Sequence, residues 1–347
     1  MKSLPIWYGF NILEKFYRND PFKELDFKCA SQWGFNFFRL PMDYHCWIVD
    51  GDLYKTDEKV LDEIDDAVAL GKKYGIHLNL NFHCAPGYTV NRAVTEPFNL
   101  RKDEEAQVAC EFHWRLFANR YRGLPNKLLS INLVNEPHGT TMPVYKRFCE
   151  RMVEAIHEKD EKRLVIADGL IMSDGHYELV PDIDDPFFAQ SFHMYTPPWI
   201  THIMASRSLA MAKYDEQPEY PGEAPNLDKY AEMCPSESRL RESLLRWKGV
   251  YVDREWLENW LKPWFEFGRE TGTLVHCGEI GVYAYKVPRK TQLDWFNDVL
   301  SILKENKVGW VLWNLRGSFG IVNTGREEFH SQPYQMDTDW TENCWTS

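Results

Sequence analysis

The chain has 347 residues, 44% hydrophobic and 27% charged, with 20 Gly, 19 Pro and 8 Cys. That excludes a disordered, fibrous or disulfide-dense protein and leaves enough chain for a sizeable core. Forty Lys+Arg against 52 Asp+Glu give a formal net charge of −12, which repels phosphate backbones and anionic membranes, so neither nucleic acid nor membrane is an expected partner.

The first residues, Met1 to Phe16, contain no apolar run long enough for a signal-peptide core, and no later segment approaches the roughly 20 apolar residues of a membrane span. The expected location is cytoplasmic, with secretion the alternative if a leader has been removed. Eight short apolar runs then recur: Tyr8–Ile12, Phe35–Leu40, Ile76–Phe82, Leu128–Val134, Leu164–Ala167, Phe188–Met194, Leu274–Gly278 and Val308–Leu315. Most are separated by helical periodicity. Phe22, Leu25, Cys29 and Trp33 share one helical face, as do Val60, Leu61, Ile64 and Val68, and then Ala106, Ala109, Cys110, His113 and Phe117. Further stripes run through Tyr145 to Ile156, Trp256 to Trp264 and Leu293 to Leu303. Strands alternating with helices imply parallel pairing. Eight such units predict a closed (β/α)8 TIM barrel spanning 1–347 as one domain. No glycine-rich nucleotide fingerprint follows any strand, which removes the nucleotide-binding form of an open doubly wound sheet.

Two stretches break the alternation. Residues 196–252, rich in Pro, Glu, Tyr and Met, read as a long insertion after strand six, expected to be a structureless lid or wall. The polar tail 326–347 shows no stripe for an eighth helix. The cysteines are dispersed without a C-x-x-C pair, which fits reduced, buried thiols rather than metal ligands. His83-Cys84 and His276-Cys277 do not make metal pairs either, because adjacent strand residues point to opposite faces. No metal and no cofactor is expected.

In a barrel of this kind the chemistry sits where strands end, so the polar residues closing each apolar run are the candidates. They are Arg39 after strand two, His83 after three, Asn135 and Glu136 after four, His193 and Tyr195 after six, Glu279 after seven and Trp313 after eight. Glu136 and Glu279 fall at the same end of strands four and seven, on opposite sides of an eight-stranded ring. Two facing carboxylates suit glycosidic cleavage, one protonating the leaving oxygen and the other attacking the anomeric carbon. Aromatic residues make up 15% of the chain, and flat rings stack on the apolar faces of sugars. Trp47 and Trp199, in loops that follow strands, are candidate stacking residues, together with Tyr44, Tyr88 and Tyr283.

These eight strand-end residues, in this order, resemble the active-site set of glycoside hydrolase family 5, within the large clan of (β/α)8 retaining β-glycosidases. The resemblance implies that Glu136 is the general acid/base and Glu279 the nucleophile, and that the substrate is a β-linked oligosaccharide or polysaccharide, β-1,4-glucans and β-mannans being the commonest cases. Tyr195 and Arg39 are expected to donate to Glu279 and keep it ionised. Glu136, nearer apolar neighbours and facing a second negative charge, is expected to have a raised pKa. Asn135 is placed to bond the sugar 2-hydroxyl, His83 and His193 to bond substrate or the two glutamates, and Trp313 to form the floor. The insertion and the absence of an export signal lean toward attack at chain ends, as in a β-mannosidase or β-glucosidase. The alternatives are an endo-acting β-1,4-mannanase or cellulase, transglycosylation, and a carbohydrate-binding barrel without catalysis.

Overall fold

The computed structural model describes residues 5–16, 18–90, 95–172, 175–181, 183–205, 211–236 and 238–325; the tail 326–347 lies outside them. Eight parallel strands match the eight apolar runs to within three residues at each end. They are β1 (Tyr8–Asn11), β2 (Phe37–Asp43), β3 (His77–Ala85), β4 (Leu129–Asn132), β5 (Val165–Asp168), β6 (Phe188–Met194), β7 (Val275–Ile280) and β8 (Gly309–Leu312). By its contacts the chain divides into two compact units, Met1–His193 with Thr271–Gly278, and Met194–Glu270 with Glu279–Ser347. The strands β6 and β7 run continuously from the first into the second.

In the first unit β1 to β6 pair in sequence order, each parallel to the next. The pairing places Asn11 beside Arg39, Asn81 beside Asn132 and Asp168 beside Ser191. At Gly9 an added Cβ would lie 1.7 Å from the Phe37 carbonyl oxygen, so β1 can approach β2 this closely only with glycine there. Alternation along a strand separates two environments. In β3, Leu78, Leu80 and Phe82 are fully buried, and Phe82 stacks on Trp114 at 3.6 Å between ring centres. The intervening residues are polar and bond to the next strand, Asn79 to Ser130 at 2.8 Å and Asn81 to Asn132 at 2.9 Å. Buried polar groups persist only when bonded in this way.

The helices α1 (Glu24–Gln32), α2 (Glu58–Tyr74), α3 (Glu104–Arg120) and α4 (Met142–His157) follow β1 to β4. In α2 the Asp57 carboxylate caps the Lys59 N–H, the helix ends on Gly75 in the left-handed region at φ 71°, and Val60, Leu61, Ile64, Ala67 and Gly71 form the buried stripe. The stripe expected for α1 is displaced. Phe27 and Ala30 are buried there while Leu25 is 43% exposed, because both stripes fit a 3.6-residue period and the Phe27 ring packs against Phe38, 4.9 Å away. Between β5 and β6 the described residues form no helix. A small antiparallel pair, Leu170–Ile171 with Tyr177–Glu178, takes its place.

In the second unit the insertion is folded rather than structureless. It contains α5 (Pro198–Thr201), α6 (Leu227–Glu232) and α7 (Arg239–Leu245), and it buries Ile203, Met211, Tyr214, Tyr230 and Trp247. Its aromatic and apolar residues recur too often to remain solvated, and burying them orders the segment. The helix α8 (Arg254–Thr271) follows, and α9 (Arg289–Glu305) precedes β8. The insertion is tied to α9 by Tyr220 to Asp298 at 2.7 Å, Thr291 to the Pro218 carbonyl at 2.7 Å and Trp295 to the Thr196 carbonyl at 3.1 Å.

Candidate active site

In the first unit the Arg39 guanidinium is 1% exposed and donates to Asn11 at 3.0 Å, Asn132 at 2.9 Å and Asn135 at 2.7 Å. The Asn135 amide in turn meets His83 Nε2 at 3.3 Å. Burial, and then the Arg39 charge, hold the His83 imidazole well below its usual pKa, so it is neutral and its Nε2 can accept.

Glu136 follows directly, with its backbone in the left-handed region at φ 48° and its side chain a quarter exposed. Tyr88 donates to the Glu136 carbonyl at 2.5 Å. Its carboxylate oxygen Oε1 meets His193 Nδ1 at 2.9 Å and accepts from the Tyr177 hydroxyl at 3.0 Å. The expected raised pKa is not what this arrangement produces. Burial does push the Glu136 carboxyl up, but the hydrogen bond and charge of His193, with smaller contributions from His83 and Tyr177, outweigh it and hold the group down at about 2. Any proton Glu136 donates is therefore one it shares with the imidazole beside it.

In the second unit Glu279, 3% exposed near the end of β7, accepts from the Tyr195 hydroxyl at 2.9 Å, as expected from the sequence. Tyr195 is itself held from behind. Thr201 of α5 donates to its carbonyl at 2.6 Å, and the His202 and Phe319 rings lie 5.1 and 6.2 Å from its ring. Trp313, half-buried just beyond β8, donates its backbone N–H to the Ile280 carbonyl at 2.8 Å.

Two expected stacking residues are corrected. Trp47 is fully buried, donates Nε1–H to His113 Nδ1 at 3.2 Å and packs edge-on against Phe117. Trp199 is likewise fully buried, within α5. A ring with no exposed face cannot stack on a sugar, so both belong to the core. Tyr44 and Tyr88 are buried as well, at 1% and 4% exposure.

Sequence reasoning missed Asp168 and Tyr177. Asp168 closes the apolar run of β5 as Glu136 and Glu279 close theirs, so the strand-end rule applied to strand five would have found it. Tyr177 lies in the two-residue strand that replaces a helix, where no periodicity marks it.

Polar side chains gathered at the C-terminal ends of parallel strands, with a carboxylate in each unit held by a tyrosine hydroxyl, define a barrel enzyme of acid/base or nucleophilic chemistry. The comparisons with known proteins make the class specific. The sequence matches the family "Cellulase (glycosyl hydrolase family 5)" over residues 6–318, and the chain belongs to that family. Endoglucanase C of Acetivibrio thermocellus is 29% identical over 306 residues, 88% of this chain and 87% of that protein. A solved glycoside hydrolase is 31% identical and superposes with a TM-score of 0.83 over 98% of both chains. Thermotoga maritima Cel5A in complex with mannotriose, 18% identical, superposes with a TM-score of 0.73 over 98% of this chain and 97% of its own. The fold is a closed (β/α)8 barrel and the protein is an O-glycosyl hydrolase.

Proposed function

We propose that the protein is a retaining, endo-acting β-glucan hydrolase in which Glu279 is the nucleophile and Glu136 the general acid/base. One observation carries the pairing: His193, bonded to Glu136, and Tyr195, bonded to Glu279, are two residues apart at the end of β6. In the first step a Glu279 oxygen bonds to the anomeric carbon as the glycosidic C–O bond breaks, and Glu136 gives its proton to the leaving oxygen. In the second, water attacks that carbon, its proton passes to Glu136 and the Glu279 carboxylate is released. Neutral His83, holding Asn135 toward Arg39, keeps the Asn135 amide fixed beside Glu136, where a sugar 2-hydroxyl would lie.

Endo-attack on glucan is supported by the whole-chain similarity to Endoglucanase C. The chain-end reading leans on the insertion as a wall and on the absence of an export signal, and the endoglucanase relatives favour endo-attack over it. Two measurements test the proposal. Glu279→Gln should abolish hydrolysis of an aryl β-cellobioside, whereas a purely sugar-binding barrel would show no activity in the parent protein either. On a soluble mixed β-glucan, viscosity should fall before reducing ends accumulate; cellobiose or glucose released at constant viscosity would restore the chain-end reading.

A further inference from the structure

Asp168 is fully buried, and a carboxylate without water must be satisfied by protein donors. Its oxygen Oδ1 accepts from Ser191 Oγ at 2.6 Å and Asn132 Nδ2 at 3.1 Å. Its other oxygen, Oδ2, does something different. It accepts the backbone N–H of Glu136 at 3.1 Å, lies 3.2 Å from His193 Nε2 and 3.5 Å from an Arg39 nitrogen. The opposite nitrogen of the same imidazole, Nδ1, meets the Glu136 carboxylate. One oxygen thus reaches Glu136 twice, directly at its main chain and through His193 at its side chain.

Both contacts bear on something that needs holding. A left-handed backbone at a non-glycine residue is strained and persists only where its surroundings impose it; the Asp168 bond is made at that residue's own N–H. The imidazole could otherwise turn its nitrogens, and the residue at 278 leaves it room. A Cβ on Gly278 would lie 3.3 Å from His193 Nε2 and 2.9 Å from Ser191 Oγ. A counter-charge for Arg39 does not by itself explain the residue. Arg39 is the most distant of the five groups about this carboxylate and has three closer amide partners.

We propose that Asp168 is a positioning residue for the proton-transfer steps: it fixes the backbone of Glu136 and orients the His193 ring that shares a proton with the Glu136 carboxyl. The inference rests on Glu136 being the acid/base. The charged and titratable groups that face Asp168 are Arg39 from β2, His193 from β6, the Glu136 segment after β4 and Tyr145 from α4, whose hydroxyl donates to the Asp168 carbonyl at 2.8 Å. His83, His276, Tyr88 and Cys149 feel its charge from further off. Among these only Arg39 and His193 offer positive charge to it. Removing the negative charge therefore weakens the hold of the Glu136–His193 pair on its last proton.

The test is Asp168→Asn in the full chain, with Glu136→Ala beside it, on two substrates: a dinitrophenyl β-cellobioside, whose leaving group needs no proton, and a cello-oligosaccharide, whose leaving group does. Asp168→Asn is expected to lower kcat/KM, which reads the first, bond-breaking step alone, by about 10²-fold on the oligosaccharide while sparing kcat/KM on the activated substrate to within about fivefold. The alkaline limb of its kcat/KM profile should move toward acid by about one unit or more. Equal losses on both substrates with an unmoved limb mean a structural role only and overturn the proposal. If Glu136→Ala itself shows no difference between substrates, the acid/base reading fails; if it does and Asp168→Asn does not, only the role of Asp168 fails. Should Asp168→Asn not fold, Ser191→Ala, which removes the 2.6 Å donor and leaves the charge, is expected to show the same substrate split at about three- to tenfold. No split in that variant overturns the proposal as well.

Discussion

Lowering the pH should destabilise this protein well before its carboxylates titrate, because three fully buried histidines are held neutral. His77 stacks on Phe37 with ring centres 5.0 Å apart and touches Trp7, His276 packs against the same two rings, and His113 accepts the Trp47 Nε1–H. Burial is the leading cause in each case, pushing His77 and His276 down to about 3 and His113 to about 4. The unfolded chain protonates its histidines near pH 6.5, so it binds protons that the folded chain refuses, and stability falls as pH drops from 6.5 toward those lower values. At pH 5 each site costs RT ln(1 + 10^1.5), about 2 kcal/mol, whatever its folded pKa so long as that lies near 4 or below. Together the three remove about 6 kcal/mol, against a total stability of about 5–15 kcal/mol for ordinary domains. Glu136, held at about 2, adds to the same trend at lower pH: its contribution is complete above the ordinary carboxylate range and is lost as pH falls through that range toward 2. Urea unfolding at pH 8, 6.5 and 5 reads the loss directly, and His113→Gln should recover about 2 kcal/mol of it. A stability that stays flat from pH 8 to 5, or a His113→Gln variant with the parent's pH dependence, would refute the reasoning.

Replacing Arg39 with Met leaves the Asp168 carboxylate buried without its cation, and the urea midpoint should fall by an amount equivalent to about 3–5 kcal/mol. Tyr195→Phe removes the 2.9 Å hydrogen bond to Glu279 and should lower kcat by about 10- to 100-fold with KM near the parent value, measured by steady-state kinetics on an aryl β-cellobioside. Trp47→Ala should cost about 3–5 kcal/mol of stability while leaving KM unchanged; a raised KM in a protein of unaltered stability would return that ring to the substrate cleft.

The strands and the strand-end set were legible because both follow from short-range rules. Alternating apolar runs give the strands, and a polar residue closing a run is placed by its position alone, which is how Arg39, His83, Glu136, His193 and Glu279 were found. Side-chain direction beyond a strand end is not fixed by period two. That is why Trp47, only four residues past β2, turns to His113 and Phe117 instead of toward the cleft. The ionisation of Glu136 was illegible for a related reason. Its environment was judged from burial and like charge, whereas a phenol from the Tyr177 strand and an imidazole from β6, 41 and 57 residues away, reverse the sign. The α1 stripe failed because two registers of one helix were equally apolar on paper, and only the position of Phe38 chooses between them.

What joins the fold to the chemistry is a buried polar layer drawn from six successive strands. Asn11 of β1 accepts from Arg39 of β2, Arg39 donates to Asn132 of β4, Asn132 accepts from Asn81 of β3 and donates to Asp168 of β5, and Asp168 accepts from Ser191 of β6. Apolar side chains of similar volume would fill the same space at equal or greater stability, so packing alone does not account for the layer. Each member is fixed by a neighbour on another strand, and its upper edge delivers two outputs, the Asn135 amide through Arg39 and the Glu136 backbone through Asp168. Strand-end geometry by itself would leave those two residues on a loop free to fray. A change at any depth in the layer, even at Asn81, which touches neither carboxylate, should therefore be felt at Asn135 and Glu136 more than at Glu279, whose tyrosine is braced by α5.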